Sequence, residues 1–141
     1  MNDMTAVQAF DISQYELNDS AILTFKNSRG DDDMIGADGV SAAKARIYSP
    51  GSPQGIKALH KSSRLAQMRM FKTLRGDFDP QDAVNADREA AEKLASFTAE
   101  FVNFPVAPLD VYSNPRLVYM AKQVEEFIGK YASFSKGPSG S

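Results

Sequence analysis

The chain has no cysteine, a single histidine and no long apolar run. Without cysteine there is neither a disulfide framework nor a thiolate metal site, a composition that fits a reducing cytosol. With His60 alone there is no second imidazole for a proton relay. Its neighbours in ALHKSS, Ser62 and Ser63, lie too close along one predicted helix to form the usual nucleophile–base pair, so His60 reads as a solvated surface side chain. No stretch approaches the roughly 18 apolar residues that span a bilayer. The opening MNDMTAVQAF lacks the basic region and apolar core of a signal peptide, so the expectation is a protein that stays in solution where it is made, with no membrane partner. Acidic side chains are also missing where it matters: residues 53 to 75 contain none.

What is present is the composition of one globular domain with one modest core: 141 residues, 43% hydrophobic and 24% charged. The net charge of -2 argues against a whole-chain polyanion binder, but the charge is unevenly spread. The first 40 residues carry eight acidic groups, from Asp3 to Asp38, against Lys26 and Arg29 alone.

Within that acidic region, AILTF (21–25) and AKARIYS (43–49) favour strands, and NSRGDDDMIGADG between them is rich in turn formers. These features predict a small antiparallel β unit with a long polar loop. SPGSPQG (49–55) ends the strand pattern as a tight connection. Pro53 then opens a helix whose apolar or small residues Ile56, Leu59, Ser63, Ala66, Met70 and Leu74 recur at helical spacing and which ends near Gly76. Asp79 as N-cap and Pro80 in the first turn begin a second long helix, marked by Ala83, Ala86, Ala90, Leu94, Phe97, Phe101 and Phe104 and stopped by Pro105 and Pro108. A third starts at Ser113 or Asn114 with Pro115. Its apolar side holds Leu117, Met120, Ala121, Val124, Phe127, Ile128, Tyr131 and Phe134, with Lys122, Glu125, Glu126 and Lys130 elsewhere. The expected fold is therefore α+β and mainly α. It divides into a flexible N-terminus (1–10), a small acidic β segment (11–52), a helical bundle domain (53–134) and a disordered tail (135–141).

Catalytic and ligand motifs fail on spacing. Ser41 and Lys44 share the S-x-x-K spacing of acyl-serine enzymes, but the SDN and KTG companions are absent. GSPQGIK places Ile56 where a phosphate loop needs lysine, and DDDMIGADG breaks the EF-hand frame at Asp31, Asp33 and Ile35, which leaves a solvated acidic loop. No cofactor or metal is expected.

The charge pattern is more informative. The first helix carries Lys57, Lys61, Arg64, Arg69, Lys72 and Arg75, and all but Arg69 form one basic stripe. Residues 76 to 104 carry seven acidic groups against Arg88 and Lys93. Two readings compete. A basic stripe can track nucleic-acid phosphates, or the two helices can form an antiparallel hairpin with opposed charges at its rim. The acidic chain as a whole favours the hairpin and disfavours nucleic acid.

Taken in order, ARIYSPGSPQG, the basic helix, LASFTAEFVNFPV and VYSNPRLVYMAKQVEEFIGKYASF resemble the small tail assembly chaperones of long-tailed bacteriophages and prophages, over residues 11 to 134. The resemblance implies a non-enzymatic protein of the bacterial host cytoplasm. Such a protein binds the hydrophobic, helix-rich tape-measure protein, keeps it soluble and helps recruit tail-tube subunits. The family brings no catalytic residues. On this reading the third helix is the expected partner-binding or self-association face, through Leu117, Met120, Val124, Phe127, Ile128, Tyr131 and Phe134, and a homo-oligomer is a further expectation. A structural tail or head–tail connector subunit is the main rival, followed by a small DNA-binding regulator using Lys57, Lys61, Arg64, Lys72 and Arg75.

Overall fold

The computed structural model describes residues 10–77 and 79–136. Three strands form an antiparallel sheet in the order β1-β2-β3: β1 (Ser20–Thr24), β2 (Lys44–Tyr48) and β3 (Thr98–Val102). Among the described residues four α-helices accompany it: α1 (Pro53–Leu74), α2 (Gln81–Phe97), α3 (Pro108–Tyr112) and α4 (Val118–Gly129). The fold is α+β and mainly α. The first two strands lie within one residue of their expected positions, and the loop between them forms only isolated bridges, Lys26 with Asp33 and Ile35 with Ala42.

The third strand corrects the sequence reading. Phe97, Phe101 and Phe104 recur at helical spacing and suggest one continuous helix, but α2 ends at Phe97 and TAEFV pairs with β2. Thr98 and Val102 are β-branched and suit a strand. A register shift between Arg46 and Ile47 accommodates the change of direction. As a strand residue Phe101 points into the core, where it meets Phe25, Phe104 and Tyr112 edge-to-face at 5.9, 5.6 and 5.9 Å. Such contacts add to area burial. Pro108 opens the short α3 rather than merely stopping α2.

The predicted third helix is also divided. Asn114 accepts the Arg116 N–H at 3.0 Å and caps a 3-10 turn, Pro115–Leu117, before α4 begins. At Lys130 the backbone turns extended, and a second 3-10 turn, Tyr131–Phe134, brings Phe134 back onto Phe127 at 5.3 Å.

One core serves both parts of the chain. Phe25, Ala43, Ala45 and Ile47 from the inner face of the sheet pack with Val111, Tyr112, Met120, Val124 and Phe134. The expected boundary between a β segment ending at 52 and a helical domain from 53 therefore does not separate two cores, because the strand that completes the sheet comes from residues beyond α2. Of the expected N-terminal arm, residues 1–9 lie outside the described residues, and Phe10 stacks on Tyr15. Of the expected tail, residues 137–141 also lie outside them.

Candidate docking surface

α1 and α2 form an antiparallel hairpin that projects from the core. Ser52 starts it: its hydroxyl accepts the Gly55 N–H at 3.0 Å and donates to the Ser49 carbonyl at 2.7 Å, with Ser52 itself fully buried. Gly55 is required here, since a Cβ would lie 2.1 Å from the Ser49 carbonyl oxygen. Gly76, at φ +80, ends α1 in the left-handed conformation that glycine adopts without penalty. Asp79 accepts the Gln81 N–H at 2.9 Å, but the helix begins at Gln81 with Pro80 as its N-cap, so the expected cap stands one residue further from the helix than the sequence suggests.

The inner side of α1 carries Ala58, Ser62, Leu65 and Arg69, which line a narrow cleft against Ala86, Glu89 and Lys93 of α2. Arg69 pairs with Glu89, and Lys72 with Asp82 at 3.3 Å. The opposed charges of the two helices thus meet across the hairpin. Each such half-exposed pair contributes about 1 kcal/mol or less, so the pairs orient the hairpin more than they stabilise it. Arg69, the one cation outside the predicted stripe, is thus one of the two that face α2.

This orientation turns the predicted apolar face outward. Only Gly55 and Ala58 of α1 are buried, whereas Ile56 and Met70 are exposed and Leu74 is 76% exposed. Of the residues that recur at helical spacing, Ile56, Ser63, Ala66, Met70 and Leu74 are exposed and Leu59 is partly buried, so that periodicity marks the helix without marking its packed side. The physical reason is the position of the cations that pair with α2: with Arg69 and Lys72 turned inward, the opposite side must face solvent. Met68 and Phe71, outside the periodic set, add to the exposed apolar surface, Phe71 at 61%.

The basic stripe divides by position. Lys72 is committed to Asp82, and Arg75 reaches Asp77 at 3.5 Å. Lys57, Lys61 and Arg64 are exposed and make no ion pair among the described residues. His60 is likewise exposed on α1.

The expected partner face at the C-terminus is mostly core. Met120, Val124 and Phe134 are fully buried, and Leu117, Phe127 and Ile128 are partly buried against the core cluster. They pack beneath the sheet, which needs an apolar cover on its inner face, so most of their apolar surface is committed to the core. Tyr131 alone of that set is freely exposed. On the other side of α2, a groove of about 460 Å³ runs between Val84 and Leu94 and the Asn114–Pro115 turn, with Val118 in its wall.

The acidic loop is organised by its own aspartates. Asp38 accepts the backbone N–H groups of Val40 and Ser41 at 2.9 and 2.8 Å and the Asn103 amide at 3.1 Å, which hold its carboxyl down at about 2. Asp33 bonds Lys26 at 2.7 Å and raises the ammonium pKa, while hydrogen bonds from Asn27 and Arg29 lower that of Asp31. Among the described residues no group of His, Asp and Glu is arranged to hold a metal ion. Ser41 is tied into this loop through its backbone N–H to Asp38 and is exposed.

No helix among the described residues is long and apolar enough to cross a membrane. Comparisons with protein-family models, with curated proteins and with solved structures find no match to this chain.

Proposed function

We propose that this protein is a non-enzymatic tail assembly chaperone of a long-tailed bacteriophage or prophage. In the cytoplasm of the bacterial host it binds the tape-measure protein, keeps that long apolar helix in solution and helps recruit tail-tube subunits. The observation that carries this reading is the exposed apolar surface near the far end of α1, where Met70, Phe71 and Leu74 stand side by side on a projecting arm. Contiguous exposed apolar surface is costly in water and marks partner sites. Methionine adapts its shape to varied partners, which suits a protein that must hold successive segments of a long helix. The order of segments from ARIYSPGSPQG to the aromatic C-terminal stretch supports the same reading by resemblance. The binding surface, however, is assigned to α1 rather than to the C-terminal helix.

The test is co-expression with the tape-measure and tail-tube proteins encoded in the same genome, followed by solubility and pull-down measurements. The expected result is a soluble tape-measure complex that F71S/L74S loses while the variant remains folded. A tape measure that stays insoluble, with this chain present in purified virions, would instead identify a permanent tail or head–tail connector subunit. Retention on DNA that falls steeply with salt would identify a regulator.

A further inference from the structure

Along α1, Ile56, Leu59, Ser63, Ala66, Met70 and Thr73 follow one another at steps of three, four, three, four and three, the a and d spacing of a heptad repeat. At 3.6 residues per turn they share about 100° of the helix circumference and form a seam about 26 Å long. Leu59 is partly buried and the other five are exposed. The larger side chains Ile56, Leu59 and Met70 stand toward the two ends, and the small Ser63 and Ala66 stand in the middle. Turned end for end, the seam sets Ile56 against Thr73, Leu59 against Met70 and Ser63 against Ala66, so a reversed copy meets it a to d throughout.

We infer that this seam takes a second copy of itself, α1 against α1, antiparallel about a two-fold axis midway between Ser63 and Ala66. Charge selects this occupant. Residues 53 to 75 contain six cations and no acidic residue, so the segment can meet its own copy only along a stripe that carries no charge. The seam is such a stripe. Lys57, Lys61, Arg64 and Arg75 fall about 130° or more around the helix from its centre, and Arg69 and Lys72 turn to Glu89 and Asp82 of α2. An acidic protein, a nucleic acid or an anionic bilayer would be drawn to the cationic side instead, away from the seam. The reversed pairing is isologous, as a two-fold axis requires. It sets the N-terminus of each helix beside the C-terminus of the other, which offsets the two macrodipoles, and the small side chains of Ser63 and Ala66 let the axes approach closely where they cross. A single helix pair about 26 Å long is at the small end of specific interfaces, so the dimer dissociates on dilution.

The test is sedimentation velocity of the full chain over a dilution series, with S63E and A66K, at two exposed positions, as variants. The parent is expected to sediment as a dimer that gives way to monomer on dilution. Each variant alone sets a new charge against an uncharged side chain in a closed seam, and is expected to weaken the dimer about tenfold or more with an unchanged circular dichroism spectrum. An equimolar mixture of the two is expected to recover the dimer, because the antiparallel register brings the new carboxylate of one chain to the new ammonium of the other. A parent chain that stays monomeric at every concentration overturns the inference. So does a dimer that both variants leave intact, which would put the interface elsewhere, and so does a mixture that stays monomeric. The inference stands apart from the chaperone role: tape-measure capture by a strictly monomeric parent chain sinks the dimer alone, and a dimer that captures no tape measure sinks the chaperone role alone.

Discussion

Gln123 joins the backbone of Lys26 through two hydrogen bonds, accepting the Lys26 N–H at 2.7 Å and donating to the Lys26 carbonyl at 3.0 Å. The side-chain amide acts as a strand would, satisfying the chain where β1 has run out and fastening the acidic loop to α4. Gln123→Ala is expected to lower unfolding free energy by about 1 kcal/mol, because both groups are solvent-accessible and water replaces part of the loss. Gln123→Glu keeps the acceptor and loses the donor, so its urea midpoint should fall between those of the parent and the alanine variant.

A second prediction concerns Tyr112. Its hydroxyl donates to Thr98 Oγ1 at 2.7 Å, and Thr98 in turn donates to the Leu94 carbonyl at 2.9 Å, a buried relay that ties α3 to the end of α2. Burial pushes the phenol up to about 12 from 10.0. Between these values the unfolded chain has lost a proton that the folded chain retains, so stability is intact below pH 10 and falls as pH rises toward 12. The full loss is roughly 2–3 kcal/mol. Tyr112→Phe should remove that alkaline contribution while costing about 1 kcal/mol at neutral pH, as thermal melts across pH 7 to 12 would record.

Asp38 makes the opposite acid-side prediction. Its folded pKa lies below the unfolded value of 3.8, at about 2. Its contribution is therefore present above pH 3.8 and lost as pH falls toward 2. Asp38→Asn should be less stable than the parent at pH 7 and nearly equal to it at pH 2. Amide exchange of Val40 and Ser41, whose N–H groups Asp38 accepts, is the local readout.

Substitutions in the C-terminal aromatic stretch should separate core from surface. Val124→Asp buries an unpaired carboxylate and is expected to cost several kcal/mol, enough to unfold the protein. Tyr131→Asp, at a site 71% exposed, should change stability by no more than about 0.5 kcal/mol. Circular dichroism of the two variants at 25 °C would separate a folded from an unfolded chain directly.

Local signals read well from sequence where backbone chemistry decides the outcome. Ser52 and Pro53 at the start of α1, Gly76 at its end and Asn114 before Pro115 all stand where capping and turn preferences put them. Signals that depend on tertiary choice did not read correctly. The phenylalanines at 97, 101 and 104 fit a helix by spacing, and only pairing with β2 makes the last part of that run a strand. The side of α1 that faces α2 follows from Arg69 and Lys72 meeting Glu89 and Asp82, a pairing that hydrophobic periodicity does not register. For the same reason the C-terminal seam that suggested a partner face is the cover of the sheet. The surface offered for docking showed in the sequence only as helical periodicity from Ile56 to Leu74, which does not say whether that side is covered.

The α1–α2 hairpin leaves the sheet after β2 and returns to it as β3, and these two strands are hydrogen-bonded neighbours. Topologically the hairpin is an insertion whose two ends are already held together. Matched turns removed from both helices beyond Leu65 and before Ala90 would shorten its reach without shifting any strand register, and matched turns added would lengthen it. Length along this arm is thus separable from the integrity of the core, and so the span of partner helix that the protein covers can be tuned without redesigning the fold.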